Sequence, residues 1–327
     1  MKKSIQKVFI VLFVVCISLM TVGCSNKKVT IGIIQLMTHT SLNTIQDAIY
    51  GELENKGYID GENCTIVYKN ANNDTSALPE IVSTMEAKGC DVIIAITTPV
   101  ALACQDIAKD IPVVFAAVSD PVGTGLIEDI DNPINMTGTS DQIQVNEILN
   151  FAKQTSILNG KEFKRLGYLY NPSEANSVSA LEKIEAYTEE NGITLVAKSI
   201  TSTSEISNVV ESIVGNIDAL YITDDNTVAS GMGILSNVAL SNDLPLYTSV
   251  DSEVQDGGLL SIGITYDILG EKTADMAIEI IEGTPVSDVP IELFGDYLKL
   301  FVNTDTKDAL GFSIPENNYT LVEFPEN

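Results

Sequence analysis

The sequence predicts an α/β protein of two similar, doubly wound parallel-sheet (Rossmann-like) domains with a cleft between them. Three observations predict it. Strand-like and helix-like segments alternate from Val29 onward. The order of segments in the first half recurs in the second. Each polar loop that follows a strand in the first copy has a counterpart in the second.

In order, residues 29–34 read as a strand, and 41–56 as a helix with Leu42, Ile45, Ile49 and Leu53 on one face and Gly57 closing it. Residues 65–68 read as a strand. Residues 77–88 read as a helix with Leu78, Ile81, Val82 and Met85 inward, closed by Gly89. Strand 91–96, helix 99–109, strand 112–117 and a shorter strand near 135–139 complete the first copy.

The second copy repeats this order. Ile31-Gly32-Ile33-Ile34 aligns with Leu166-Gly167-Tyr168-Leu169, and Gly57 with Gly192. Thr65-Ile66-Val67 aligns with Thr194-Leu195-Val196, Asp91-Val92-Ile93-Ile94 with Asp218-Ala219-Leu220-Tyr221, and Ile111-Pro112-Val113 with Leu244-Pro245-Leu246. A helix at 267–282 and a strand at 298–303 follow, and the polar tail with Pro315 and Pro325 is expected to hold little regular structure. The division expected is 29–140 plus 266–288 for the first domain and 141–265 plus 289–327 for the second.

Before these lies a targeting segment. Lys2, Lys3 and Lys7 precede an apolar run, 8–20, that is too short for an ordinary membrane span. Thr21-Val22-Gly23-Cys24 resembles a bacterial lipobox, with Thr21 where Leu is usual. Residues 1–23 are thus expected to be a lipoprotein signal peptide, Cys24 the lipidated residue and 24–28 a tether. The alternative is an ordinary secretory peptide with a chance Cys. The expected location is extracytoplasmic, lipid-anchored to the outer face of the bacterial cell membrane, with two or more chains giving a stable anchor.

Composition narrows the chemistry. A net charge of −27 disfavours nucleic acid and other anionic surfaces. The single Arg, Arg165, starts its strand, away from the loop, so no bidentate Arg serves a phosphate or dicarboxylate. Cys64, Cys90 and Cys104 show no C-x-x-C spacing and are expected as buried free thiols, one disulfide among them remaining open. His39 is the one His; G-x-S-x-G and Walker A patterns are absent, and Gly123 and Gly125 do not extend to G-x-G-x-x-G. No cofactor, metal or enzyme activity is expected, although paired carboxylates could in principle do acid–base work.

The strand-end loops carry residues 35–41, Thr97-Thr98-Pro99 and Ser119-Asp120-Pro121 in the first copy, and 171–177, 224–227 and Asp251-Ser252 in the second. Open α/β sheets place ligands at such loops. These carry carboxylates, hydroxyls and amides but no cation. Carboxylates would hold an ammonium; helix-start N–H groups after Thr98 or Ser173 would hold a carboxylate. An amino acid satisfies both. Singly, each loop is ordinary: Thr98 an N-cap before Pro99, Asp120-Pro121 and Asn171-Pro172 turns, Asp225 or Asn226 a cap. The six aligned loops together argue for a site.

Residues 31–36 (I-G-I-I-Q-L), 97–99 (T-T-P), 111–125 (I-P-V-V-F-A-A-V-S-D-P-V-G-T-G), 170–177 (Y-N-P-S-E-A-N-S) and 223–229 (T-D-D-N-T-V-A) resemble the ABC-transporter substrate-binding lipoproteins of the tryptophan/tyrosine-type group. The likeness runs from Val29 to about Gly311. It implies the type I periplasmic-binding fold with three crossover segments, near Ser140, Gly263 and before Leu298, and a ligand enclosed by domain closure. It also implies permease and ATPase partners, a monomeric chain, and an amino-acid ligand, aromatic (Tyr, Trp or Phe) by preference. The contacts it implies are Gln35, Leu36, Thr97, Thr98, Ser119, Asp120, Asn171, Glu174, Asn176, Asp224, Asn226 and Asp251, the choice between Asp224 and Asp225 remaining open. His39, in the first loop, either touches the ligand or is a solvated residue near a helix start. Alternatives are a surface adhesin or sensor on the same fold, or a branched-chain amino acid or nucleoside as ligand.

Overall fold

The computed structural model describes residues 28–325. The expected signal peptide and Cys24 lie outside the described residues. The first sheet has five parallel strands in the order β2-β1-β3-β4-β5: β1 Val29–Gln35, β2 Cys64–Asn70, β3 Val92–Ile96, β4 Val113–Ala116 and β5 Met136–Gly138. The second is β12-β11-β10-β9-β8-β6-β7, with β6 Arg165–Tyr170, β7 Thr194–Ser199, β8 Ala219–Tyr221, β9 Leu246–Tyr247, β10 Leu260–Gly263, β11 Lys299–Asn303 and β12 Thr320–Phe324. Its β7-β6-β8-β9-β10 portion reproduces the first sheet's order, so the sequence repeat is a repeat of topology.

The central strands are apolar throughout because helices cover both faces. Every residue of β3 and β4 is buried. The aligned Asp91 and Asp218 play matching parts: Asp91 accepts the Thr30 N–H (2.9 Å), and Asp218 accepts those of Lys164 (2.8 Å) and Arg165 (2.9 Å). Each acidic side chain ties its strand to the start of the neighbouring one. Asp218 also takes the Arg165 guanidinium at 2.6 Å, which fixes Arg165 at the end of the sheet away from the ligand loops.

The first domain is closed by the helix Tyr266–Ile281, which packs on Thr40–Asn55. Their backbones approach closely at Gly270, where a Cβ would stand 2.6 Å from the Ile45 carbonyl oxygen. Both helices begin at the cleft.

Three expectations are corrected. Val289 and Phe294 are buried in the first domain's core, and Ser140 N–H donates to the Glu292 carbonyl (2.8 Å). Residues 289–294 therefore pack with the first domain, where the expected split gave them to the second. The helix expected over 99–109 ends early: Thr98–Ala103 is α-helical and Ile107–Lys109 is a single 3₁₀ turn. The tail is ordered. Thr304–Leu310 forms a helix, capped by the Asn303 side chain on Thr306 N–H, and β12 pairs in parallel with β11. It lies at the sheet edge, half exposed, and so lacks the apolar run that marks an inner strand. Cys64, Cys90 and Cys104 are free and buried, which settles the question left open among them.

Candidate functional site

Where the two sets of strand ends face each other, a narrow cavity lies between the domains. His39, Ser41, Leu42, Thr97, Thr98 and Ala117 line it from the first domain. Asn176, Asp224, Asn226, Ala229, Val250 and Glu253 line it from the second, and Asp141 and Tyr266 line it from the crossovers. The domains are closed on one another. Ser119 Oγ donates to Asp224 (2.6 Å), Ser41 and Ser252 hydroxyls meet at 2.6 Å, and Thr40 Oγ1 donates to Asp256 (2.9 Å).

The backbone is strained at this point. Thr97 directly follows β3 with φ 88°, and Ala117 directly follows β4 with φ 54°. Non-glycine residues at positive φ cost on the order of 1–3 kcal/mol and cluster at ligand sites. Strain at two adjacent strand ends is what turns both residues into the cavity wall.

The polar atoms of the wall are incompletely paired. His39 Nδ1, the Thr97 and Thr98 hydroxyls, Asp141 Oδ1, Asn176 Oδ1, Asp224 Oδ1 and both Glu253 carboxylate oxygens are buried with no protein partner in hydrogen-bond geometry. Each such group costs roughly 1–3 kcal/mol, so their convergence on one cavity marks a place built to be satisfied by something else.

Three of these groups are carboxyls. Burial, opposed by the hydrogen bond from Tyr266, raises the Asp141 pKa above the ordinary carboxyl range. Burial first, then the Asp141 charge, raises Asp224; burial first, then Asp224, raises Glu253. Among the described residues no Lys or Arg lines the cavity, and no group of three His, Cys, Asp or Glu has the geometry to hold a metal ion. The site is therefore matched to a cationic organic group, whose arrival would return these carboxyls to their charged form.

His39 is set by its partner. Nε2 lies 3.3 Å from Asn226 Oδ1. The Asn226 amide is itself oriented, because its Nδ2 donates to Glu174 (2.7 Å). Oδ1 is thus an acceptor, which assigns the proton to His39 Nε2 and leaves Nδ1 as an acceptor. Burial lowers the His39 pKa to about 4 against the opposing effect of the Asn226 bond.

Six expected contacts meet at this cavity: His39, Thr97, Thr98, Asn176, Asp224 and Asn226. The other expected contacts stand elsewhere. Gln35 is spent inside its own domain, on the Met37 carbonyl (2.7 Å), Asn43 (3.1 Å) and the Tyr68 hydroxyl (3.1 Å). Leu36 belongs to the core. Ser119 is turned to Asp224, and Asp120 to Lys183 (2.7 Å) and Ser179 (2.5 Å). Asn171 Nδ2 donates to Thr227 (2.9 Å). Glu174 accepts four bonds, from the N–H groups of Asn226 and Thr227 and from both side chains, at 2.7–3.0 Å. Asp251 accepts the Ser252 N–H (2.8 Å) and lies off the wall, where burial raises its pKa to about 7. The adjacent acids divide their tasks: Asp224 faces the cavity, while Asp225 caps Asn226–Ala229 through Val228 N–H and takes Asn171 N–H and Ser177 Oγ.

Sequence reasoning missed Asp141, Glu253 and Tyr266. Asp141 was one residue from a crossover already located, and Glu253 two residues from Asp251. A carboxylate at a crossover is the signal that could have found the first.

The profile of the family described as ABC transporter substrate binding protein matches residues 30–322. The chain belongs to this family. The substrate-binding protein is 36% identical over 305 residues to the Tyrosine-binding protein of Clostridioides difficile (strain R20291), covering 93% of this chain and 87% of that protein. It superposes with a TM-score of 0.82 on an ABC domain in complex with L-Trp from Streptococcus pneumonia, at 32% identity over 89% of this chain and 97% of that one. A ligand-free, open structure from Clostridium difficile, described as a substrate binding protein with adhesive properties, is 38% identical yet superposes less well, at TM-score 0.67, over 90% of this chain and 99% of that one. Lower overlap at higher identity fits the closed placement of the two domains here.

Proposed function

We propose that this substrate-binding protein captures a free amino acid with an aromatic side chain in the interdomain cavity and delivers it to an ABC permease at the membrane. The observation that carries the reading is the wall itself: Asp141, Asp224 and Glu253 each keep at least one carboxyl oxygen without a protein partner and with no cation, beside unpartnered Thr97 and Thr98 hydroxyls. The carboxylates suit an ammonium, the hydroxyls suit a carboxylate, and Leu42, Ala117, Ala229 and Val250 supply an apolar wall for the side chain. Family membership and the tyrosine- and tryptophan-binding relatives support the aromatic choice.

Capture needs no covalent step. A ligand that touches both domains favours the closed state by its differential affinity for it. The protein acts outside the cytoplasm, held by lipid on Cys24. Among the described residues no helix is long and apolar enough to cross a membrane.

Binding is read by titrating L-tyrosine and L-tryptophan against the chain. The chain contains no Trp, so bound L-tryptophan reports alone at long excitation wavelength. Saturation by either, with no response to sugars or nucleosides, is the expected result; response to a sugar or nucleoside alone sinks the ligand assignment. Loss of metabolic lipid labelling in Cys24→Ala tests the anchor.

A further inference from the structure

We propose that Asp120 and Lys183 form a clasp across the cleft rim that sets the lifetime of the closed state. The proposal rests on the reading that the chain works by domain closure, and it assigns Asp120 a task other than touching the ligand.

The D-P-V-G-T-G turn is shaped around the Asp120 carboxylate. Oδ1 accepts the Gly123 N–H at 2.9 Å, and Thr124 Oγ1 ties back to the Asp120 carbonyl at 2.6 Å. A Cβ on Gly123 would fall 2.3 Å from Oδ2, so a side chain there displaces the carboxylate. Oδ2 is thereby aimed out of the first domain. It meets Ser179 Oγ at 2.5 Å and Lys183 Nζ at 2.7 Å, both on the second-domain helix Ala175–Asn191. These donors are four residues apart and so share one helix face.

Asp120, Ser179 and Lys183 all lie outside the cavity wall. Ser119–Asp224, Ser41–Ser252 and His39–Asn226 also cross the cleft, but each includes a wall residue and so changes with whatever fills the cavity, whereas Thr40–Asp256 crosses it off the wall without an ion pair. The Asp120–Lys183 pair depends only on the domains being closed. Its side chains keep 21% and 40% of their exposure, which leaves the pair open to screening by salt. A contact made only in the closed state acts on the rate of opening, hence on ligand release more than on association.

The test uses the purified chain with L-tryptophan as probe. Lys183→Met is expected to speed dissociation roughly two- to fivefold, the range of a half-exposed ion pair, with association unchanged. Raising NaCl from 20 to 500 mM should speed release from the wild type and leave Lys183→Met unmoved, and Lys183→Arg should restore the slow rate. Small-angle scattering of the unliganded chain should give a larger radius of gyration for Lys183→Met than for wild type. Equal dissociation rates in the two proteins at low salt overturn the clasp. If the wild type binds neither L-tryptophan nor L-tyrosine, the ligand reading fails on its own and scattering decides the clasp: equal radii overturn it.

Discussion

Glu174 holds Asn226 by both of its donors, the backbone N–H at 2.9 Å and the side-chain amide at 2.7 Å on the same carboxylate oxygen. A chain of assignments follows from this pair. The fixed amide presents Oδ1 to His39, the His39 proton goes to Nε2, and Nδ1 is left as an acceptor buried without a protein partner. A residue outside the cavity wall thus determines what the cavity can bind.

Glu174→Gln replaces an acceptor of four hydrogen bonds by a neutral amide that must also place two N–H donors. Bonds to a charged acceptor contribute roughly 1.5–3 kcal/mol. Ligand affinity is expected to fall by about tenfold or more, measured by isothermal titration, while the fold measured by circular dichroism is retained.

Asp224→Asn separates stability from binding. The folded state raises this carboxyl's pKa, so the charged form is disfavoured and neutralising it should stabilise the unliganded protein. Amino-acid affinity should fall at the same time, because the acceptor for the ammonium has lost its charge. Thermal unfolding with and without ligand reads both; a variant that loses midpoint without ligand contradicts the assignment.

The pH dependence of closure has an acid limb. His39 takes up its proton near 6.5 when free and near 4 in the closed protein. The closed state therefore holds fewer protons in that window. Its stabilisation is fully present above pH 6.5 and is lost as pH falls toward 4, by up to about 3 kcal/mol. Asp141, Asp224 and Glu253, whose pKa values are raised, act in the opposite direction and favour the closed unliganded state as pH falls. The difference between wild type and His39→Gln isolates the His39 part, and that difference should change between pH 7 and 4.5 in affinity titrations.

Thr97→Gly should raise the unfolding midpoint and weaken binding. Glycine accepts φ near 88° without penalty, relieving on the order of 1 kcal/mol after its larger unfolded-state entropy is counted. The hydroxyl that faces the cavity goes with the side chain.

Gly270→Ala tests how the two cleft-starting helices are held. The added Cβ would stand 2.6 Å from the Ile45 carbonyl oxygen and 2.7 Å from Ala48 Cβ, forcing the helices apart. A loss of about 1–3 kcal/mol in denaturant unfolding is expected, with weaker binding because Ser41, Leu42 and Tyr266 sit at the starts of those helices.

Much of the architecture was legible. Alternation of apolar runs with amphipathic ones marks strands and helices, and the repeated Asp91 and Asp218, Gly57 and Gly192, show that the same unit is built twice. What escaped was structure with weak periodic signal. β12 is a half-exposed edge, and the short helix at Thr98–Ala103 ends where no Gly or Pro announces it. Val289 and Phe294 were placed in the wrong domain because an apolar residue carries no label for the core it enters.

The site divides along the same line. By itself the sequence determined that polar, cation-free loops end the strands of two matched domains, because strand periodicity and turn chemistry are local properties of neighbouring residues. Only the tertiary structure decided which polar groups remain unsatisfied. Glu174, Asn171 and Asp120 looked like ligand contacts and are occupied by Asn226, Thr227 and Lys183, while Asp141 and Glu253, each inconspicuous in the sequence, line the cavity with carboxyl oxygens that have no protein partner. A hydrogen bond between residues more than fifty positions apart leaves no trace in local pattern, and it is such bonds that determine which atoms are left for a ligand.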